Sequence, residues 1–261
     1  QRDERLGWTG DVQVFCDTAC YLMDIYEFYR KWLSDLAADR REDGAVTHVV
    51  PDALAPNQPD NFCGAAGWGD VSVILPWTLY QETGDRSIIY QQYDSMKAWL
   101  DFVLEHMQDG IYSFGAQFGD WLALDAEEGS YHGATPAEFT SAAYFACTSM
   151  LFVKMAEIIG KEEDAEKYGA MHDEAVRHFQ GRYILKDGQI SIQTQTAYVL
   201  ALHFHLIPEQ YREKAVERLA ELLKQRSMHL STGFLGTPYI MHVLSENGRL
   251  EEAYELLLKK D

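Results

Sequence analysis

From residue 71 to the end of the chain, apolar side chains return every three or four positions in one segment after another, and glycine-rich loops separate the segments. That period belongs to amphipathic helices packed on one another. The spacing predicts helices over about 71–83, 86–107, 137–159, 162–181, 194–206, 208–226, 237–246 and 249–260. An earlier stripe of Phe15, Ala19, Leu22, Tyr26, Tyr29, Leu33 and Leu36, at intervals of four and three, reads as a single helix over about 12–38. Strand signal is almost absent. Tyr183–Ile192, with Asp187-Gly188 inside it, reads as a small hairpin or turn.

Short turns at Gly84, Gly160, Pro208 and Gly248 alternate with long loops that carry glycines and aromatics. This is the pattern expected when helical hairpins stack round an axis and the long loops collect at one end, where functional residues gather. The predicted class is all-α, a helical toroid or most of one. Pro76 inside the 71–83 pattern predicts a kink or a late start. Thr135-Pro136-Ala137-Glu138 reads as a helix start, with Thr135 as the cap, Pro136 at the first position and Glu138 completing a capping box. Trp32, Trp77 and Trp99 fall within helices and are expected in the core.

Residues 40–69 form the longest predicted loop, rich in Pro, Gly, Asn and Asp, and lead into Gly64-Ala65-Ala66-Gly67-Trp68-Gly69-Asp70. A loop of that length inside a compact domain is usually functional or disordered, and its glycines and lone Trp68 favour function. Gly119-Asp120-Trp121 and His229–Gly236 lie in two further loops of this kind. Helix capping or loop bracing is the expected role of Asp70 and Asp120, and structural hydrogen bonding that of His48 and His229.

The densest chemistry opens the chain. Gln1-Arg2-Asp3-Glu4-Arg5-Leu6-Gly7-Trp8-Thr9-Gly10-Asp11 holds three carboxylates, two arginines, a tryptophan and two glycines. So many charges are not buried cheaply, and glycines let the backbone approach a neighbour closely. The segment reads as one wall of a sugar-binding acid–base site. A formal charge of −19 argues against nucleic acid or an anionic membrane as partner and suits a neutral or cationic ligand. An aromatic content of 13% fits both a wide helical core and sugar-stacking surfaces. No apolar run approaches the ~20 residues of a membrane span, and no signal-peptide pattern is present.

Cys16, Cys20, Cys63 and Cys147 do not make a disulfide framework in a chain of 261 residues. They point to a reducing compartment, and a cytoplasmic location is expected. Neither CxxC nor HExxH occurs, so no metal site and no cofactor is expected.

The opening motif, Arg2 to Asp11, resembles the one that begins the catalytic domain of bacterial α-L-rhamnosidases of glycoside hydrolase family 78. Similar stretches follow in order: Gly44-Ala45-Val46 with His48-Val49-Val50-Pro51-Asp52, Gly67-Trp68-Gly69-Asp70, Pro76-Trp77-Thr78-Leu79-Tyr80, Gly119-Asp120-Trp121-Leu122-Ala123, Thr194-Gln195-Thr196-Ala197-Tyr198 and His229 to Tyr239. The resemblance implies a six-hairpin (α/α)6 barrel and inverting hydrolysis of terminal α-L-rhamnosyl residues from oligosaccharides or glycosides. It implies Glu4 as general acid and sugar contacts from Arg2, Asp3, Trp8, Asp11, Trp68 and Trp121.

The family's general base sits in a Trp-Glu-Arg-Trp-like motif that does not occur here, and a further sugar-binding aspartate would precede Gln1. The expectation is therefore a single helical-barrel domain over 1–261, truncated at both ends and without its base. An open barrel of this kind exposes apolar faces and makes a homo-oligomer plausible.

An inverting glycosidase needs a carboxylic acid to protonate the leaving oxygen and a carboxylate, ~6.5–9.5 Å from it, to activate water. Asp3, Asp11 and Trp8 favour a protonated Glu4, and Arg2 and Arg5 oppose it. Asp11 is also a candidate cap for a helix starting at Val12, and Arg2 a candidate ion-pair partner of a neighbouring acid. A second reading is a non-catalytic carbohydrate-binding fragment. A third, a helical-repeat scaffold, requires a regular repeat that these unequal loops lack.

Overall fold

A computed structural model describes residues 4–260. Ten α-helices occur among them: α1 Thr9–Leu22, α2 Tyr26–Asp39, α3 Val71–Thr83, α4 Ser87–Glu105, α5 Ala137–Ile158, α6 Glu162–Tyr183, α7 Gln195–His203, α8 Glu209–Gln225, α9 Thr237–Glu246 and α10 Leu250–Leu257. Beyond isolated bridges, the only extended pairing among the described residues is β1 Met107–Gln108 with β2 Ile111–Tyr112, antiparallel, with Met107 opposite Tyr112. The chain divides into two compact units, residues 1–117 with 144–174 and residues 118–143 with 175–261. Helices α5 and α6 contribute residues to both.

In the first unit, α3 packs on α1 and α4, and α2 on α3 and α4. Its core holds Leu33, Leu36, Met96, Trp99, Leu100 and Phe152. Trp32 and Trp99 are buried as expected, whereas Trp77 is half-buried with the Lys154 ammonium 5.6 Å from its ring centroid. In the second unit α7 packs on α8 and α9, and α9 on α10. Residues 195–202 of α7 are all buried, while α8 buries one face, Ala215, Val216, Leu219, Ala220, Leu222 and Leu223. The rest of α8 is mostly charged, which is the sequence signature of a helix with one wet side.

The predicted helix over 12–38 is two helices. Met23 is extended (φ −158°, ψ 159°), its N–H closes α1 on the Ala19 carbonyl, and the next helical bond runs from Tyr29 N–H to Ile25 O. The three-residue break is close to one helical turn of 3.6 residues, so the apolar stripe stays in phase across it and hides it. Phe15 and Leu22, assigned to the buried stripe, are exposed; α1 buries Thr9, Gly10, Gln13, Cys16 and Ala19 instead.

Helix α3 runs through Pro76 without interruption. Pro76 has no N–H to give the Ser72 carbonyl, so the helix continues with one i+4 bond fewer. Gly84 ends the helix in the left-handed region (φ +71°), its N–H bonded to Tyr80 O at 2.8 Å. Helix α5 begins at Ala137, with Pro136 O accepting from Phe139 and Thr140 N–H. The Thr135 hydroxyl bonds to the Thr194 hydroxyl at 2.6 Å. Thr194 in turn caps α7 by accepting from Ala197 N–H. Residues 183–192 make the small hairpin-like turn, with Ile184 bridged to Ile190 round Gly188.

Although its run is interrupted by Glu138, Lys154 and Glu157, α5 is by length and composition long and apolar enough to cross a bilayer. Yet 72% of its most apolar 18-residue window is buried within the protein, the placement of a core helix.

Candidate functional site

The opening segment is built into the first unit by a short backbone pairing. Thr9 N–H donates to His48 O at 3.0 Å, Val50 N–H donates to Gly7 O at 2.9 Å, and Trp8 bridges Val49 in antiparallel sense. The Thr9 hydroxyl adds a second bond to His48 O at 3.1 Å. Gly7 is required by this approach, since a Cβ there would lie 2.2 Å from Val50 O. The strand-like residues then pass directly into α1.

From this anchored stretch Glu4 projects to the surface, and its Oε2 accepts a hydrogen bond from the Trp8 indole N–H at 2.8 Å. Trp8 itself is half-buried. Asp11 is exposed in the first turn of α1, which begins at Thr9, so it lies inside the helix rather than capping one that starts at Val12. Its carboxyl is raised above the ordinary range, first by desolvation and further by the negative charge of Glu4, against a bond from its own N–H. Glu4 and Asp11 thus stand within electrostatic reach of each other.

Trp68 is 4% exposed and lies against α1: a Cβ on Gly10 would sit 2.6 Å from its Nε1. The turn that carries it is fixed at every step. Gly64 N–H donates to Val46 O, Ala65 N–H to His48 Nε2 at 3.1 Å, and Ala66 N–H to Gln117 Oε1 at 2.9 Å. The Tyr112 hydroxyl donates to Gly64 O. Ala65 O accepts from both Trp68 and Gly69 N–H. Asp70 closes the turn by accepting from Gly67 N–H at 2.7 Å and from Trp99 Nε1 at 3.0 Å. Burial pushes the Asp70 carboxyl up to about 6, despite those donors and the Thr148 hydroxyl, which favour its charged form. It braces a loop, and its side chain makes no cap on α3.

In the second unit Trp121 is half-buried among aromatic rings, edge-on to Phe118 at 5.6 Å and His132 at 5.1 Å and tilted against Tyr131 at 5.2 Å. Its carbonyl accepts from Phe234 N–H at 2.8 Å, and Gly233 is needed because a Cβ would meet that carbonyl oxygen at 2.4 Å. The neighbouring Asp120 is buried and accepts from the Thr196 hydroxyl and from the N–H groups of Gly233, Leu235 and Gly236, at 2.8, 2.8 and 3.1 Å. Desolvation raises its carboxyl in spite of these four donors. Gln195 ties down the start of the same loop, accepting from Ser231 N–H and donating to His229 O.

A profile of the family described as the bacterial alpha-L-rhamnosidase 6 hairpin glycosidase domain matches residues 1–261. The chain belongs to this family. An alpha-L-rhamnosidase of Streptomyces avermitilis is 42% identical over 98% of this chain and 23% of its own length. One from Formosa agariphila is 37% identical over 100% of this chain and 28% of its own length. The crystal structure of the Streptomyces avermitilis alpha-L-rhamnosidase complexed with L-rhamnose superposes with a TM-score of 0.90 at 40% identity, covering 100% of this chain and 24% of that one. The Aspergillus terreus enzyme gives 0.92 at 29% identity, over 100% of this chain and 30% of that one. The chain therefore spans about a quarter of the length of the rhamnosidases it matches. Its all-α architecture is that of the six-hairpin glycosidases.

Of the residues singled out as a rhamnosidase site, Glu4, Trp8, Asp11 and Trp68 belong to the first unit and Trp121 to the second. Arg2 and Asp3 lie outside the described residues. Three residues that hold this arrangement were not singled out for it: Tyr112 and Gln117, which secure the Trp68 turn, and Gln195. Each is a polar side chain bound to backbone far away in sequence, and no local pattern marks such a residue.

Proposed function

We propose that this domain hydrolyses terminal non-reducing α-L-rhamnosyl residues with inversion, with Glu4 as general acid. The observation that carries the reading is the whole-chain likeness to a rhamnosidase crystallised with L-rhamnose. The geometry of the opening segment supports it: an exposed carboxyl is oriented by an indole N–H and stands in the field of Asp11. Trp8 supplies the ring edge and Asp11 a hydroxyl acceptor. Arg2, Asp3, Trp68 and Trp121 complete the set of proposed rhamnose contacts, Trp68 through whatever edge its packing leaves open.

In an inverting reaction the acid protonates the leaving oxygen while a second carboxylate takes a proton from the attacking water. Asp70 and Asp120 are not that base, because both are buried and their oxygens are occupied by loop donors. The base role is assigned to no described residue. A net charge of −19 favours a neutral glycoside over nucleic acid as the ligand.

The test is Glu4→Gln on two substrates. An alkyl α-L-rhamnoside, whose leaving oxygen needs a proton, is expected to lose ~10²–10⁴ in kcat, and the p-nitrophenyl glycoside much less. L-rhamnose binding should stay within a few-fold. Equal losses on both substrates, or none, would remove Glu4 from the acid role.

A further inference from the structure

A closed circuit of contacts links the acid-bearing segment to the Trp68 turn, and one residue sits in two of its links, through its carbonyl in one and its ring in the other. The His48 carbonyl accepts both the N–H and the hydroxyl of Thr9, which follows Trp8. The His48 ring, on the same residue, accepts Ala65 N–H through Nε2 at 3.1 Å. Ala65 O then accepts Trp68 N–H at 3.1 Å, and the Trp68 ring returns to Gly10, next to Thr9.

We propose that His48 is a positioning residue for rhamnoside binding, holding the Glu4–Trp8 segment and the Trp68 turn in one register. The inference rests on the function proposed above and assigns His48 no contact with the sugar. The ring is 2% exposed, with its edge against Phe62 at 4.7 Å between centroids. An acceptor at Nε2 requires the neutral ring with its proton on Nδ1. Burial, with the charge of Arg41 second, keeps the imidazole neutral by pushing it down to about 4. Residues 44–52 thereby become more than a connecting loop: they are the splint between two walls of the site.

His48→Leu keeps bulk and removes the acceptor. His48→Gln places an amide oxygen close to where Nε2 lies. On p-nitrophenyl α-L-rhamnopyranoside, His48→Leu is expected to raise KM about tenfold, the scale of one lost buried hydrogen bond, with kcat within about threefold. His48→Gln should recover most of that loss. Hydrogen exchange at Ala65, Trp68 and Gly69 should quicken by about the same factor in His48→Leu and return toward normal in His48→Gln.

Wild-type KM and exchange in His48→Leu, or a Gln variant no better than the Leu variant, overturns the inference. Should the wild-type protein neither cleave rhamnosides nor bind L-rhamnose, the proposed function fails, and with it the role in rhamnoside binding. Exchange alone then decides whether the coupling between the two segments exists. If His48→Leu does not fold, Thr9→Val, which removes only the hydroxyl bond to His48 O, serves instead. Faster exchange at Ala65 as well as at Val50 supports the coupling, and an unchanged Ala65 defeats it.

Discussion

Trp8 Nε1 donates to Glu4 Oε2 at 2.8 Å across one helical-turn spacing of sequence. The tryptophan therefore sets the direction of the carboxylate. Trp8→Phe keeps an aromatic surface and deletes the donor. The expected result is a ~10-fold fall in kcat on an alkyl rhamnoside with L-rhamnose affinity little changed, a loss typical of one hydrogen bond to a charged group. A variant with unchanged kcat means that Glu4 is aligned by something other than the indole.

Asp70 predicts an unusual pH dependence. Its carboxyl is raised from 3.8 to about 6 by burial. Between those values the folded protein binds more protons than the unfolded chain, so stability from this group is greatest below pH 4 and declines as pH rises through about 6. Asp70→Asn is uncharged throughout. The urea stability of wild type minus that of the variant should therefore fall by on the order of 2–3 kcal/mol between pH 4 and pH 7. A difference that stays flat across that window would show that Asp70 does not titrate there.

Asp120 gathers four donors from two segments of the second unit, the start of α7 and the 233–236 loop. Asp120→Ala leaves the N–H groups of Gly233, Leu235 and Gly236 without their acceptor. Unsatisfied buried donors cost ~1–3 kcal/mol each, so a loss of at least ~3 kcal/mol in urea unfolding is expected, with faster exchange at those three amides. Retained protection at Gly233 and Leu235 would mean that another group holds the loop.

The thiols should separate by burial. Cys16 is 1% exposed, donates to Gln13 O at 3.2 Å, and is pushed up to about 12 by desolvation, with Asp17 adding to it. Cys63 is buried as well. A water-soluble disulfide reagent at pH 8 is expected to label Cys20, which is partly exposed, ahead of Cys16 and Cys63, which react only as the protein unfolds. Early modification at Cys16 would contradict its placement in the core of α1.

How much of this could be read from the residues depended on whether the partner was near in sequence. The Glu4–Trp8–Asp11 cluster was legible because its chemistry is packed into a few positions, and α3 because Gly84 marks its end. The break at Met23–Ile25 was not legible, since a three-residue gap preserves helical phase and no Gly or Pro announces it. Asp120 was legible as a loop brace but not as the centre of a loop more than a hundred positions away. Trp68 was expected to present a face to the sugar; the structure turns much of its ring toward Gly10, a partner that only folding brings to it.

That last contact sets an order on how the packing of the Trp68 turn on α1 can be remodelled. Gly10 has no room for a methyl while Trp68 is in place, because the added carbon would fall 2.6–2.9 Å from three atoms of the indole. Shrinking Trp68 first leaves a void that Ala at position 10 can then fill. A lineage or a library exploring this packing would thus pass through Trp68 before Gly10, and screens that vary either position alone would miss the pair.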